Sequence, residues 1–296
     1  MDLIAFSKKL KELRIQRNLT QIELSDLSGI SRRKIIDIEN NNSIPSIEDL
    51  ITLSNIYKIE LIHLFYDYNK FHNIDIKSSI NEIENFISDK RYDEVKIKID
   101  NLKQISISNP FIKQYYNFVY GFYYLNSKEK NYNKSIEHLL TGLMISNKHF
   151  TINNYKHFSY SSIELRALIA LSKAYLSQGN KLMYKEIVEF CYNSLQEINT
   201  SYFIVTIQYA TLKSREEDFN YSIEITNNCI DTCCEVNNFT YLPFLYYLNY
   251  INYKKIENTE FANDYLSKSL VLCDIYKKYN LKRLIENKQK KKKNNK

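Results

Sequence analysis

Leu, Ile, Lys, Glu and Tyr recur with helical periodicity along almost the whole chain, while glycine and proline number only 4 and 3, too few for the many tight turns of a β fold. The pattern predicts an all-α protein. Leu3, Phe6, Leu10 and Leu13 fall at three- and four-residue intervals and give a first helix one apolar stripe, with Lys8, Lys9, Lys11 and Arg14 on its other faces. Asn18 and Leu19 make a connection, and Thr20 with Glu23 three residues on is a capping box that starts a second helix. Pro45 closes the polar loop 40–45, Ser46 and Asp49 form another box, and Leu50, Leu53 and Ile56 bury the helix that follows. A fifth short helix is expected over Glu60–Tyr66.

Between the two boxes lies Gln21–Asn40, whose residue types at fixed offsets specify two helices around one tight turn. Gly29 stands where the chain leaves the first of them in a left-handed conformation, and Ser31 caps the next. Ser25 is small enough for the two helices to cross closely, and Leu24, Ile30, Ile35 and Ile38 point into a shared core. The outward face carries Arg32, Arg33, Lys34 and Asp37. In a helix-turn-helix the start of the second helix meets base edges in the DNA major groove, so clustered cations there fit a nucleic-acid surface. Arginine can present a bidentate fork to guanine. Asp37, four residues after Arg33, reads either as an intrahelical ion pair or as an acceptor for cytosine N4.

After an expected connector over residues 67–77 a longer rhythm begins. RYDEV, NYNKS, DFNYS and TEFA each open a helix with an inward residue, at Val95, Ser135, Ser222 and Ala262, and Tyr184 fits a fifth copy. Intervals near forty residues mean stacked helical hairpins, because one hairpin cannot bury its own apolar face. Leu171, Ser172, Tyr175 and Gly179 match the consensus of tetratricopeptide repeats with Ser in place of Gly, and residues 147–160 read as an inserted extended loop. The expected layout is a helix-turn-helix head over 1–66, the connector over 67–77, about five hairpins over 78–280 in a right-handed superhelix with a concave inner face, and a basic disordered tail over 281–296.

Charge changes this picture little. The formal net charge is +7, yet residues 282–296 hold 8 Lys/Arg and 1 Glu, so the rest of the chain is balanced and DNA affinity of the folded part must come from local placement. The tail is either a solvated end or an additional phosphate-binding element. Cys191, Cys229, Cys233, Cys234 and Cys273 include no CxxC pair and stand among apolar neighbours, as buried thiols of a reducing, cytoplasmic environment do. None of His63, His72, His138, His149 and His157 stands in a catalytic or metal-binding spacing, and no glycine-rich phosphate loop occurs, so an enzyme, a cofactor and a metal are not expected. No apolar run of 18 residues suggests a membrane span, and the amphipathic start does not resemble a signal peptide.

On these residues, LTQIELSDLSGISRRKIIDIENNNSIPSIEDLITLSNIYKIELIHLF resembles the phage-repressor (XRE) DNA-binding domain. That resemblance implies phosphate contacts at Gln21 and Asn40 and base reading by Arg32, Arg33 and Asp37, with Ser31 and Lys34 on the same surface. Joined to the repeats, including IELIHLFYDY, KRYDEV and CIDTCCEVNNFTYLPFLYYL, the chain resembles the RRNPP family of Gram-positive regulators. The resemblance implies a cytoplasmic homodimer on an inverted-repeat operator, controlled in quorum sensing by a short signalling peptide held on the concave repeat surface. The first helix of each hairpin should build that surface, exposing Arg166, Ile169 and Lys173, then Gln208 and Thr211, then Phe244 and Tyr247. Amides would bond the peptide backbone, cations its carboxylate and aromatics its side chains. Phe244 and Tyr247 read equally as packing between hairpins, and a DNA-binding adaptor that recruits a protein partner is the alternative function.

Overall fold

The structure is a computed structural model describing residues 4–59, 61, 62, 64, 65, 74–103, 106 and 110–294, with the side chains of 5, 74–77 and 291–294 left out of the description. Its described residues form fifteen α-helices and no strand. The chain divides into two compact units, Met1–Asn81 and Glu82–Lys296.

The first unit follows from its caps. Thr20 and Glu23 exchange both bonds of a capping box, as do Ser46 and Asp49, fixing the starts of α2 (Gln21–Ser28) and α4 (Ile47–Tyr57). Gly29 leaves α2 at φ +69° in the left-handed region, and Ser31 accepts from the Lys34 N–H to start α3 (Arg32–Glu39). Ser25 does more than stay small: its hydroxyl donates to the Ile30 carbonyl at 2.7 Å and ties the turn to α2. With α1 (Ile4–Gln16), these helices enclose Phe6, Leu10, Leu13, Leu24, Ile30, Ile35, Ile38, Leu50, Leu53, Tyr57 and Leu61. Of the expected fifth helix, Leu61, Ile62, Leu64 and Phe65 are helical, while Glu60, His63 and Tyr66 lie outside the described residues. Leu3, His72 and connector residues 67–73 also lie outside them, and α5 (Ile74–Ser88) begins within the stretch assigned to the connector.

The second unit repeats one local device. An Asx residue caps the second helix of a hairpin with its side chain, at Asn131 for α8 (Tyr132–Ser146), Asn180 for α10 (Lys181–Asn193), Asp218 for α12 (Phe219–Glu235) and Asn258 for α14 (Thr259–Ile275). Four residues beyond each cap comes the inward residue: Ser135, Tyr184, Ser222 and Ala262 are all buried, as is Val95 in α6 (Tyr92–Asn101). Before the cap the chain turns through a left-handed residue at Gly179, Glu217 and Glu257, and at Lys90 between α5 and α6. The first helices are α7 (Pro110–Asn126), α9 (Ser162–Ser177), α11 (Thr200–Arg215) and α13 (Leu242–Lys255).

Small residues let the two helices of a hairpin touch. The Ser135 hydroxyl donates to the Gly121 carbonyl at 2.7 Å and the Ser222 hydroxyl to that of Ala210 at 2.8 Å. A Cβ on Gly121 would sit 2.5 Å from Leu139 Cγ. Besides pairing within hairpins, α7 packs on α9, α9 on α11 and α11 on α13, so the first helices form a continuous inner layer.

Three expectations are corrected here. Residues 147–160 are no extended loop: Phe150 and Tyr155 are buried in a ring cluster with Phe158, Tyr160 and Phe190, around a short 3-10 turn at Tyr155–His157. The tail is not disordered through 294, because α15 (Tyr279–Asn294) buries Leu281 and Ile285 beside Cys273. Cys234 is exposed; the other four cysteines are buried as expected.

The last helix also joins the first hairpin. Both oxygens of Asp89 are engaged at the start of α15, Oδ1 accepting from the N–H groups of Asn280 at 3.0 Å and Leu281 at 3.2 Å, and Oδ2 from Asn280 Nδ2 at 3.2 Å. Lys278 Nζ donates to Ser88 Oγ at 2.7 Å. A carboxylate on unpaired N-terminal N–H groups is a favourable helix cap, and here it fastens the two ends of the hairpin stack.

Candidate DNA interface and ligand groove

On α3 the structure sorts the expected DNA-facing residues into free and engaged. The side chains of Arg32 and Arg33 are exposed and make no hydrogen bond or ion pair among the described residues. They stand in the first turn after the Ser31 cap, as base-reading positions require. Lys34 is engaged, its ammonium meeting the two oxygens of Asp49 at 2.7 and 2.9 Å. Burial works against the Asp49 charge, but Lys34 and the Ser46 bonds outweigh it and hold the carboxyl below its usual range. Lys34 thus braces α3 against α4. Asp37 forms no ion pair with Arg33; its carbonyl instead accepts from the N–H groups of Asn42 and Ser43 and closes the loop after α3.

Beneath this surface lies a buried ion pair that the sequence pattern did not reveal. Arg14 Nε and Nη2 donate to the two oxygens of Glu39 at 2.7 and 2.9 Å, and Nη1 donates to the Leu19 carbonyl at 2.8 Å. Gln21 Nε2 donates to Glu39 Oε2 at 2.9 Å. The amide of Gln21 is therefore spent on Glu39, and what remains for a phosphate is its main-chain N–H at the start of α2. Asn40 is exposed at the end of α3.

In the second unit the expected peptide residues again divide. Arg166 is engaged within the unit: Nη2 donates to the two Glu84 oxygens at 2.7 and 2.9 Å and the guanidinium lies 4.7 Å from the Phe118 ring centre. Ile169 is buried, so neither it nor Arg166 is exposed as expected. Gln208 is buried too and donates to the Tyr184 hydroxyl at 2.5 Å, while Thr211 bonds the Ile207 carbonyl one turn back. Phe244 and Tyr247 are half-buried against the cluster of Cys273, Leu281 and Ile285, and each carries a cation over its ring, Lys90 5.1 Å from the Phe244 ring centre and Lys288 6.0 Å from that of Tyr247. Lys173 is partly exposed with no anionic partner among the described residues.

Lys173 has cationic company that periodicity alone did not select. Lys90 and Arg215 both act on it, and together with desolvation, the largest cause, they bring its ammonium down to about 7. Burial first, then Lys278 and Lys288, bring Lys90 down to about 8. The signal for Arg215 was in the sequence: it continues the α11 stripe of Ile204, Gln208 and Thr211 by one more turn. Lys90 carried none, because it belongs to a turn.

Among the described residues no group of His, Cys, Asp or Glu could hold a metal ion, and no helix is long and apolar enough to cross a membrane. Residues 10–64 match the helix-turn-helix family model. No curated protein sequence matches the chain. Among solved structures, PlcR of Bacillus thuringiensis in complex with the peptide PapR7 and DNA is 21% identical, with a TM-score of 0.71 over 95% of this chain and 98% of that one. The apo form of PlcR gives 20% identity and a TM-score of 0.56 over 96% and 98%. The SHP pheromone receptor Rgg2 of Streptococcus dysgalactiae gives 14% and 0.58 over 97% and 99%. The chain therefore carries a helix-turn-helix domain, and over nearly its whole length it has the fold of PlcR and Rgg2.

Proposed function

We propose that the protein is a sequence-specific DNA-binding transcription regulator, cytoplasmic and homodimeric, whose activity is set by a short signalling peptide held against the inner layer of its hairpins. The observation that carries this reading is the pairing of two unpartnered arginines at the start of α3 with an inner layer where Lys173 and ring-borne Lys90 stand without an acid. The match over 95% of the chain to a PlcR structure holding both a peptide and DNA supports it. One head presents a small surface, so physiological affinity calls for two heads on an inverted repeat.

A DNA site is first enriched from random duplexes with the full-length protein. Arg33→Ala then weakens binding to that site by about 1–3 kcal/mol and leaves nonspecific binding nearly unchanged. Equal losses on both kinds of DNA would make Arg33 a phosphate contact and remove it from base reading. If short peptides shift neither melting nor DNA affinity while a folded protein partner shifts both, the adaptor reading replaces the receptor.

A further inference from the structure

The charge excess of the chain sits in its last helix and not in its DNA-binding head. Residues 1–66 hold 9 Lys/Arg and 9 Asp/Glu and are neutral, whereas residues 282–296, with 8 Lys/Arg and 1 Glu, carry the whole net charge of +7. Within the head, ion pairs take up Lys9, Arg14 and Lys34. The excess is held on a fixed element. Leu281 and Ile285 of α15 are buried, Asp89 accepts from the N–H groups at its start, and the Tyr250 hydroxyl donates to Gln289 Oε1 at 2.5 Å.

Among the described cations of α15, Lys282 alone meets an acid, its ammonium lying 2.6 and 2.8 Å from the two oxygens of Asp274. Arg283, Lys288 and Lys290 are exposed and have no carboxylate partner among the described residues. Elsewhere in this unit Arg91, Lys98, Lys213 and Lys268 each pair with an acid. Lysine then fills every position from 290 to 293, on a helix that runs to Asn294. The helix dipole favours cations in the last turn but not at Arg283, the fifth residue of the helix. Like charges one turn apart repel, so an external polyanion is what such an array lacks. We infer that α15 is a second DNA contact, meeting backbone phosphates irrespective of sequence while the head reads bases. This assignment rests on the DNA-binding reading of the head.

Size and charge set how much such a contact can do. At 1.5 Å per residue, Arg283 to Lys293 span about 15 Å, the length of about four base pairs, so about four phosphates come within reach of one helix. Each phosphate neutralised releases counterions and steepens the fall of log affinity with log salt by about 0.9. A neutral head that needs a source of phosphate affinity favours DNA over an anionic bilayer, the other polyanionic surface that a cationic helix with exposed Tyr279 and Leu284 suits.

The test titrates the full-length protein onto the enriched duplex and onto a scrambled duplex of equal length, by fluorescence anisotropy from about 50 to about 300 mM salt. In Lys290→Gln/Lys291→Gln/Lys292→Gln/Lys293→Gln the salt slope falls by about 2–4 on both duplexes and affinity at about 100 mM salt drops on the order of tenfold or more, with the ratio between duplexes unchanged. That variant melts no lower than the wild type, and the matching Lys→Arg variant keeps the wild-type slope. Removing four exposed lysines from other parts of the unit, in Lys130→Gln/Lys148→Gln/Lys181→Gln/Lys255→Gln, changes the slope by less than about 1. An unchanged slope in the tail variant overturns the α15 contact and leaves the head's reading of bases standing. Equal losses in the two glutamine variants also overturn it, assigning the effect to net charge. Binding to phosphatidylglycerol vesicles that depends on Lys290–Lys293, with an unchanged slope on DNA, moves the helix to a bilayer and overturns the DNA contact. If the wild type prefers no duplex over its scrambled form, the sequence-specific reading fails and the inference fails with it.

Discussion

Glu39→Ala destabilises the head by about 3–5 kcal/mol, the cost of stranding a buried partner of an ion pair. Arg14 and Glu39 are each only 8% exposed, and the pair makes two hydrogen bonds of 2.7 and 2.9 Å. Without Glu39 the guanidinium keeps its bond to the Leu19 carbonyl but loses its counter-charge, and Gln21 loses its acceptor. Because that pair links the end of α1 to the end of α3, the damage reaches the helix that presents Arg32 and Arg33. Hydrogen exchange of the Leu13 and Ile38 amides in the full-length protein reads the effect, with exchange faster by about two to three and a half orders of magnitude at a tenfold change per 1.4 kcal/mol. The apolar double variant Arg14→Met/Glu39→Leu recovers most of the loss, since no charge is then left unpaired. A tenfold change or less in Glu39→Ala would mean that water reaches Arg14 and the pair contributes little.

The second large effect is expected at Glu84. Its carboxylate accepts both bonds from Arg166 and one from the Tyr115 hydroxyl at 3.0 Å. The Nε of Arg166 is already without a hydrogen-bond partner among the described residues. Removing Glu84 leaves a buried guanidinium with no carboxylate partner among the described residues, flanked on its own helix by Leu165, Ala167 and Ile169. The Glu84 side chain is 31% exposed, so solvent screens part of the loss and about 2–4 kcal/mol is expected, between the exposed and fully buried limits. Exchange protection of the α9 amides falls accordingly in Glu84→Ala. Glu84→Gln, which keeps one acceptor but no charge, falls in between. If the two variants were equally mild, the ion pair would have no structural weight and Arg166 would again be available to a ligand.

How far these features could be read from the sequence depended on whether their cause was local. Capping boxes at Thr20 and Ser46, the left-handed Gly29 and the inward residues 95, 135, 184, 222 and 262 are set by neighbours within a turn or two, and all stand as expected. The hairpin turns were harder to see, because Glu217, Glu257 and Lys90 occupy left-handed positions that glycine would have advertised. Pairings across the chain left no periodic trace. Arg166 looked available because its partner lies 82 residues away, Lys34 because Asp49 belongs to another helix, and Arg14 because an amphipathic stripe shows polarity but not its destination. The tail misled through composition: its lysines spell disorder, yet Leu281 and Ile285 suffice to bury one face of α15 and Asp89 caps it. The stripe on successive first helices was legible, but its chemistry was not, since whether a cation is paired depends on which acids are already engaged.

Under the proposed function, peptide binding in the hairpin unit is coupled to DNA binding by the head. Its most direct test is a fluorescence anisotropy titration of the enriched duplex with full-length protein, without peptide and with a saturating peptide chosen by its melting shift. With peptide bound, the dissociation constant for DNA changes by about 5–150-fold, and the duplex changes the peptide's dissociation constant by the same factor. Superimposable titrations with a peptide known to be bound would contradict it.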